Sequence, residues 1–402
     1  MAGSDFIPLI PLLPLIPLLP SLKKSCYFVQ LMDELEIRCI LEKCRGGVEL
    51  SDEEGILLYE NAPLSSLAET AHFLRCQKTD PKIVTYLVDR NINYTNVCVT
   101  ACKFCAFYRP PGHTESYILT REALSLKIEE LLEIGGTRIL MQGGHHPDLG
   151  LSWYTDLLNW LRESFPSITL DCFSPSEIDN LCDVEGRDAR YILSALQEAG
   201  LQGLPGGGGE NLDPEVRERV SPKKTTGERW LEIMGIAHEI GLHTTASMVI
   251  GFGESCRNRI RHLSMLRKRQ RESMRDFGNG FLAFISWPLQ YEFTALGRQS
   301  QNEGLLGASV SGYLRNLAMS RIFLDNFDHF QASWPTMGFD IAQVALNFGA
   351  DDFGSTMMEE NVVSQASETT ECQARIKDIQ AHIQGAGFSF QQRNSTYRIV
   401  ES

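Results

Sequence analysis

The sequence predicts an α/β chain folded as an eight-stranded parallel (β/α)8 barrel of the TIM type, with a helical lead-in before it and a helix plus extended segment after it. Three observations predict it. From about Ile83 to about Asn361, short apolar, β-branched or aromatic runs alternate with amphipathic segments. The chemically distinctive residues fall at the ends of nearly every run, which suits the mouth of a barrel better than the single crevice of a doubly wound sheet. A chain of 402 residues is also a length that a barrel with extensions takes as one domain.

In chain order, residues 1–31 form a Pro/Leu extension, in which "IPLIPLLPLIPLLP" sets Pro8, Pro11, Pro14, Pro17 and Pro20 at a spacing of three. Such a run forbids a helix and is compatible with polyproline geometry. No Lys or Arg precedes it, so it reads poorly as a secretory signal. The extension is expected to be disordered or absent from the natural product, with Met32 standing where a start could lie. Residues 32–79 read as the helical lead-in, with a capped start at Ser51, residues 80–367 as the barrel, and residues 368–402 as the closing segment.

Strands are expected at Ile83–Val88, Arg138–Gly144, Thr169–Ser174, Leu201–Gly207, Thr244–Gly251, Phe281–Trp287, Phe330–Trp334 and Val344–Asp351. Between them, "TREALSLKIEELLEIGG" carries Thr120 as a cap and stops at Gly135 and Gly136, and "TTGERWLEIMGIAHEIGL" stops at Gly241.

Composition narrows the function. Asp and Glu number 51 against 37 Lys and Arg, which argues against a nucleic-acid partner. No segment holds about 18 uninterrupted apolar residues, so no membrane span is expected. The 11 cysteines are an odd count in a chain too long to need staples, which fits a reducing cytoplasm. Cys26, Cys39, Cys44, Cys76, Cys172, Cys182, Cys256 and Cys372 read as ordinary small apolar residues.

The exception is "NVCVTACKFCAFYR", where Cys98, Cys102 and Cys105 lie just past the first strand. Three thiolates fill three corners of a cubic iron–sulfur cluster and leave the fourth iron open. Structural zinc completed by His113 is the alternative.

Other strand ends add candidates. "MQGGHHPD" offers Gly143 and Gly144 for close backbone approach, followed by His145 and His146 as substrate or proton contacts. "LPGGGGEN" lacks the Lys and Ser or Thr of a nucleotide loop and reads instead as four glycines clearing space for a bulky ligand beside Glu210. "MVIGFGES" ends in Glu254. "FGADDFGSTMMEENVV" brings Asp351, Asp352, Glu359 and Glu360, to which no metal is assigned.

From "NINYTNVCVTACKFCAFYR" through "LMQGGHHPDL", "FSPSEI", "AGLQGLPGGGGENL", "ISWPLQ", "QASW" and "FGADDFGSTMMEENVV", the chain resembles the cyclic dehypoxanthinyl futalosine synthases, radical S-adenosylmethionine enzymes of the futalosine route to menaquinone. The resemblance runs from about Asp33 to Ile399. It implies Cys98, Cys102 and Cys105 as ligands of a [4Fe-4S] cluster. It places Phe104, Phe107, Gly143, Gly144, Ser174, Glu210 and Glu254 beside S-adenosyl-L-methionine. The substrate implied is dehypoxanthine futalosine, from whose ribose C4′ a hydrogen is removed before ring closure. The closed ring must then lose an electron and a proton, for which His145, His146, Asp171 and Glu177 are candidate bases. A low-potential donor such as flavodoxin or ferredoxin is the implied partner. Aminofutalosine synthase and the deazaflavin-forming synthases are the enzyme alternatives, and an iron–sulfur redox sensor is the non-enzyme one.

Overall fold

The computed structural model describes residues 26–299, 306–368 and 373–400. The proline run, Cys372 and the side chain of Cys26 lie outside them.

Three helices lead in, α1 (Cys26–Arg45), α2 (Asp52–Asn61) and α3 (Leu64–Lys78), the first beginning inside the stretch read as an extension. α2 starts on a capping box: Ser51 accepts from the Glu54 amide at 3.2 Å, and Glu54 accepts from the Ser51 amide at 2.8 Å.

The barrel follows as β1 (Ile83–Leu87), β2 (Asp89–Asn93), α4 (Arg121–Glu133), β3 (Arg138–Gln142), α5 (Leu151–Ser164), β4 (Thr169–Cys172), α6 (Pro175–Glu185), α7 (Ala189–Ala199), β5 (Gly203–Leu204), α8 (Pro214–Val220), α9 (Gly227–Glu239), β6 (His243–Ile250), α10 (Cys256–Phe277) and β7 (Phe281–Pro288). It continues through α11 (Ala295–Gln299), α12 (Val310–Phe323), β8 (His329–Gln331), α13 (Trp334–Met337), α14 (Phe339–Ala345) and β9 (Asp352–Ser355), and ends in α15 (Ile376–Gly385) and β10 (Ser389–Arg393). The sheet is parallel throughout, in the order β10-β1-β9-β8-β7-β6-β5-β4-β3-β2.

Two expectations are corrected. The first strand runs on, after Val88, into "DRNIN", whose residues are all buried although none but Ile92 is apolar; Asn91 and Asn93 turn into the barrel and Arg90 pairs outward with Glu130 on α4, so no hydrophobic alternation marks it. Val344–Asp351 is not a strand: Val344 and Ala345 end α14, Gly349 turns the chain at φ 100°, and the strand begins at Asp352.

The ring closes where β2 meets the residues just past β9. The Asn91 amide donates to the Met357 carbonyl at 2.8 Å, and the Thr356 amide donates to the Leu87 carbonyl at 3.1 Å. The Thr356 hydroxyl donates to the Asp89 carbonyl at 2.7 Å.

The large apolar core lies between this ring and the helices, with Trp230, Phe284, Phe327 and Phe353 buried in it. β10 pairs with β1, and the chain after it folds under the amino-terminal ends of the strands. There Arg393 forms a buried ion pair with Asp352 at 2.5 and 3.0 Å. The Tyr397 ring sits 3.8 Å from the Arg393 guanidinium and stacks on His329 at 3.9 Å. Among the described residues, no helix is long and apolar enough to cross a membrane.

Candidate functional site

A cavity of about 380 Å³ runs through the barrel from the cysteine loop to Arg393 and Tyr397. It is lined by Cys98, Cys102 and Cys105.

The loop that carries them is stapled at its base. The Cys98 amide donates to the Arg109 carbonyl at 2.9 Å, and the Arg109 amide to the Asn96 carbonyl at 2.8 Å. The Arg109 guanidinium then donates to the carbonyls of Ala106, Phe107 and Tyr108 at 3.0, 3.2 and 3.0 Å. Neighbouring elements clasp the middle: the Lys103 amide donates to the Val220 carbonyl at 2.9 Å, and the Leu296 amide to the Lys103 carbonyl at 2.7 Å. An apolar cluster of Val216, Val220, Val249, Phe252, Leu289 and Leu296 underlies this clasp, with Phe104 packed against it.

Burial pushes the Cys102 thiol up to about 12 and raises Cys105 as well, although Lys224 pulls Cys102 the other way. Thiolates here therefore need a cationic partner, and an iron–sulfur cluster is one that fits three cysteines with no fourth among the cavity-lining residues. His113 does not complete a zinc set: it is exposed, is not among the lining residues, and its Nδ1 accepts from the Glu115 amide at 3.1 Å. Among the described residues, no group of three His, Cys, Asp or Glu side chains is arranged to hold a single metal ion.

The end of β3 presses on the loop. A Cβ on Gly144 would lie 2.2 Å from the Val97 carbonyl oxygen, so only glycine allows the approach. His145, next in line, accepts through its carbonyl from the Val99 amide at 3.1 Å and bonds through Nδ1 to the Thr100 hydroxyl at 2.8 Å. Burial, reinforced by Lys224, lowers its pKa to about 3, so the ring is neutral. His146 does not line the cavity; its Nδ1 accepts from the Asp148 amide at 3.1 Å.

Glu177 lies in the cavity wall. One carboxyl oxygen accepts from the Tyr94 hydroxyl at 3.0 Å and the Gly143 amide at 2.9 Å, and the other from the Ser174 hydroxyl at 2.7 Å. Burial outweighs these donors and raises the group to about 7. Ser174 doubles as the cap of α6, accepting from the Glu177 amide at 3.3 Å.

Asp171 has the opposite character. Burial would raise it, but His243 at 2.5 Å and Arg138 at 3.3 Å outweigh burial and hold the carboxyl below its usual range.

Glu210 is also held low: burial would raise it, but Lys224 at 2.6 Å and Arg217 prevail. Its second carboxylate oxygen is buried without a hydrogen-bond partner. Lys224 sits 5.6 Å over the ring of Phe104, and Phe107 lines the same wall.

Two sequence expectations need correction here. Gly206 to Gly209 are glycines because neighbours crowd them, not because space is cleared: a Cβ on Gly207 would meet the Gln142 amide at 2.3 Å. Glu254 is not a cavity residue: its carboxylate is spent on its own Gly251 amide at 2.9 Å and on Arg259 at 2.8 Å.

The acidic run also disperses. Asp351 pairs with Arg321 at 2.5 Å and His329 at 2.6 Å, and Glu359 with Arg90 and Lys127. Glu360 accepts from the amides of Val362, Val363 and Ser364. Sequence reasoning missed Lys224, Arg138, His243 and Arg393, all cavity residues. No motif surrounds them, and only their inward position on the folded chain singles them out.

Comparison with known proteins follows the same division. Residues 92–266 match the family model of the Radical SAM superfamily, and residues 278–402 that of the CofH/MqnC C-terminal region. The chain is 42% identical over 368 residues to a cyclic dehypoxanthine futalosine synthase of Halalkalibacterium halodurans, covering 92% of this chain and 96% of that one. It is 34% identical to an aminodeoxyfutalosine synthase of Thermus thermophilus, covering 90% and 95%. Among solved structures, methylornithine synthase (PylB) superposes with a TM-score of 0.66 at 18% identity, covering 87% of this chain and 96% of that one, a likeness of fold alone.

Proposed function

Because the chain belongs to the radical S-adenosylmethionine enzymes, in the branch that holds the cyclic dehypoxanthine futalosine synthases, we propose that it converts dehypoxanthine futalosine to its cyclic form. In this reading, hydrogen leaves ribose C4′ and that carbon closes onto the aromatic ring, a step in menaquinone biosynthesis. The observation that carries it is the trio of thiols on one stapled loop, facing a cavity with no fourth cysteine in its wall.

A [4Fe-4S] cluster on Cys98, Cys102 and Cys105, with S-adenosylmethionine at its open iron, supplies a 5′-deoxyadenosyl radical when bound. The chain's own residues do the rest. Gly143, Gly144, Ser174, Phe104 and Phe107, all in the cavity wall, would border the co-substrate. Glu210 would accept from it through the carboxylate oxygen that Lys224 leaves over. The apolar cluster around Val249 and Leu289 keeps water from the loop.

Ring closure leaves a radical that must lose an electron, to a one-electron acceptor, and a proton, to a base. Glu177 is the base we favour: it lines the cavity, and burial places it near neutrality, where it can accept a proton. Asp171 is committed to Arg138 and His243, His145 holds the cysteine loop, and His146 faces away from the cavity. A low-potential donor such as flavodoxin or ferredoxin reduces the cluster.

The test is anaerobically reconstituted protein given substrate deuterated at C4′. Deuterated 5′-deoxyadenosine with a cyclised product is expected; unlabelled 5′-deoxyadenosine beside that product would refute C4′. The 34% identity to an aminodeoxyfutalosine synthase favours a second reading, synthesis of that compound, and formation of it in place of the cyclised product would establish it.

A further inference from the structure

Most uncharged polar side chains lining the cavity are already bonded within the protein. Asn93 donates to the Gln142 carbonyl at 3.3 Å and accepts from Asn361 at 3.3 Å. Ser247 donates to the Gly206 carbonyl at 2.7 Å, Ser333 bonds Thr336 at 2.8 Å, and Thr245 accepts from the Gly206 amide at 3.1 Å. The cations are likewise engaged: Lys224 by Glu210, Arg138 by Asp89 and Asp171, and Arg393 by Asp352.

Asn91, Gln331 and Ser355 differ. All three line the cavity, and among the described residues none of their side chains makes a hydrogen bond. Asn91 is only 7% exposed and Ser355 only 6%, and the Asn91 amide oxygen is buried with no partner. Leaving a buried amide unsatisfied costs free energy, which a bound ligand would recover.

The three also belong together. Gln331 ends β8, which pairs with β9 through Asp352, and Ser355 ends β9. Asn91 stands on β2 where its amide meets Met357, two residues past Ser355. They therefore form one wall across the seam at which the ring closes, one inward position below Asn93 and the cysteine loop.

Resting on the reading above, we propose that Asn91, Gln331 and Ser355 bind the sugar hydroxyls of the substrate. Two amides and a hydroxyl offer both donors and acceptors without charge, which is what adjacent hydroxyl groups on a ring require. A wall on the seam just beneath the cysteines holds the sugar, and with it the hydrogen to be removed, against the mouth of the barrel. The wall thereby fixes which sugar hydrogen faces the radical.

The experiment measures binding and turnover separately in the reconstituted holoenzyme. Dehypoxanthine futalosine and its analogues lacking one ribose hydroxyl are titrated into wild type, Ser355→Ala, Gln331→Met and Asn91→Ala, with iron content and 5′-deoxyadenosine release recorded for each. Wild type should lose roughly tenfold in affinity for the analogue that lacks the bonded hydroxyl, and the matching variant should lose roughly tenfold for the full substrate but nothing more for that analogue. Iron content should be unchanged. Additive losses, affinities within twofold of wild type in all three variants, or no binding of the substrate to wild type would overturn the inference. Hydroxyl-dependent binding without a cyclised product would leave this wall standing and remove the proposed reaction instead.

Discussion

The α-carbon of Gly144 faces the carbonyl oxygen of Val97 so closely that a Cβ there would come within 2.2 Å of it, and within 2.8 Å of the Cys98 Cβ. Those atoms are backbone and the Cβ of a proposed cluster ligand, neither of which can swing aside. Gly144→Ala should therefore push the cysteine loop off β3, at about 1–3 kcal/mol of stability. Iron analysis should find the variant depleted in cluster while its far-ultraviolet circular dichroism stays that of a folded barrel.

Cys102→Ala removes the most buried of the three thiols without disturbing the Arg109 staple. Anaerobically purified wild type should be brown and bind iron, and the variant should be colourless and release no 5′-deoxyadenosine. Zinc in place of iron in the wild type would sink the cluster reading.

Glu177→Gln keeps the shape and removes the proton acceptor. Product formation should fall by about two orders of magnitude or more, while 5′-deoxyadenosine release persists. In wild type, burial raises this carboxyl to about 7, so it is neutral below that pH and a carboxylate above it. Product formation should thus decline as pH falls through about 7, and this limb should be missing from the residual rate of the variant. Stability has the opposite sign: with the folded pKa above the unfolded one, raising pH from about 4.5 to 7 costs stability at this site, and the variant should be free of that loss.

Arg393→Ala leaves Asp352 buried without its cation, since the remaining contacts are the uncharged Thr85 hydroxyl at 2.6 Å and the Gly354 amide at 2.9 Å. A loss of about 3–5 kcal/mol is expected, read as a fall in the urea midpoint. The double variant with Asp352→Asn should recover much of it.

How much of this could be read in advance depended on whether a residue answers to its neighbours in sequence or in space. The Ser51 and Thr120 caps were legible because a helix start is a local event: Thr120 accepts from the Ala123 amide at 3.3 Å. The cysteine spacing was legible for the same reason. β2 was not, because "DRNIN" turns polar side chains into a cavity and so carries no apolar period. Val344 misled in the other direction, its β-branched side chain being spent on the last turn of a helix. Lys224 and Arg138 take their meaning from Glu210 and Asp171 on other elements, and no local pattern announces such partners. The glycine run after β5 was visible, but whether glycine makes room or yields to crowding is decided by Gln142 and Trp230, which are far away in the chain.

The stacking of Tyr397 between Arg393 and His329 has a consequence for how the protein comes into being. Every strand of the ring, and all three cysteines, precede this stopper in the chain, so a ribosome releases the vessel before it releases the cork. In that interval Asp352 and His329 meet solvent, and the chamber is a tube open at both ends. A chain interrupted before Arg393 carries all three cysteines, yet its chamber would stand open from below to any small molecule in solution. The cysteine loop and the plug that closes its chamber are thus written into opposite ends of the same polypeptide, and synthesis supplies the loop first.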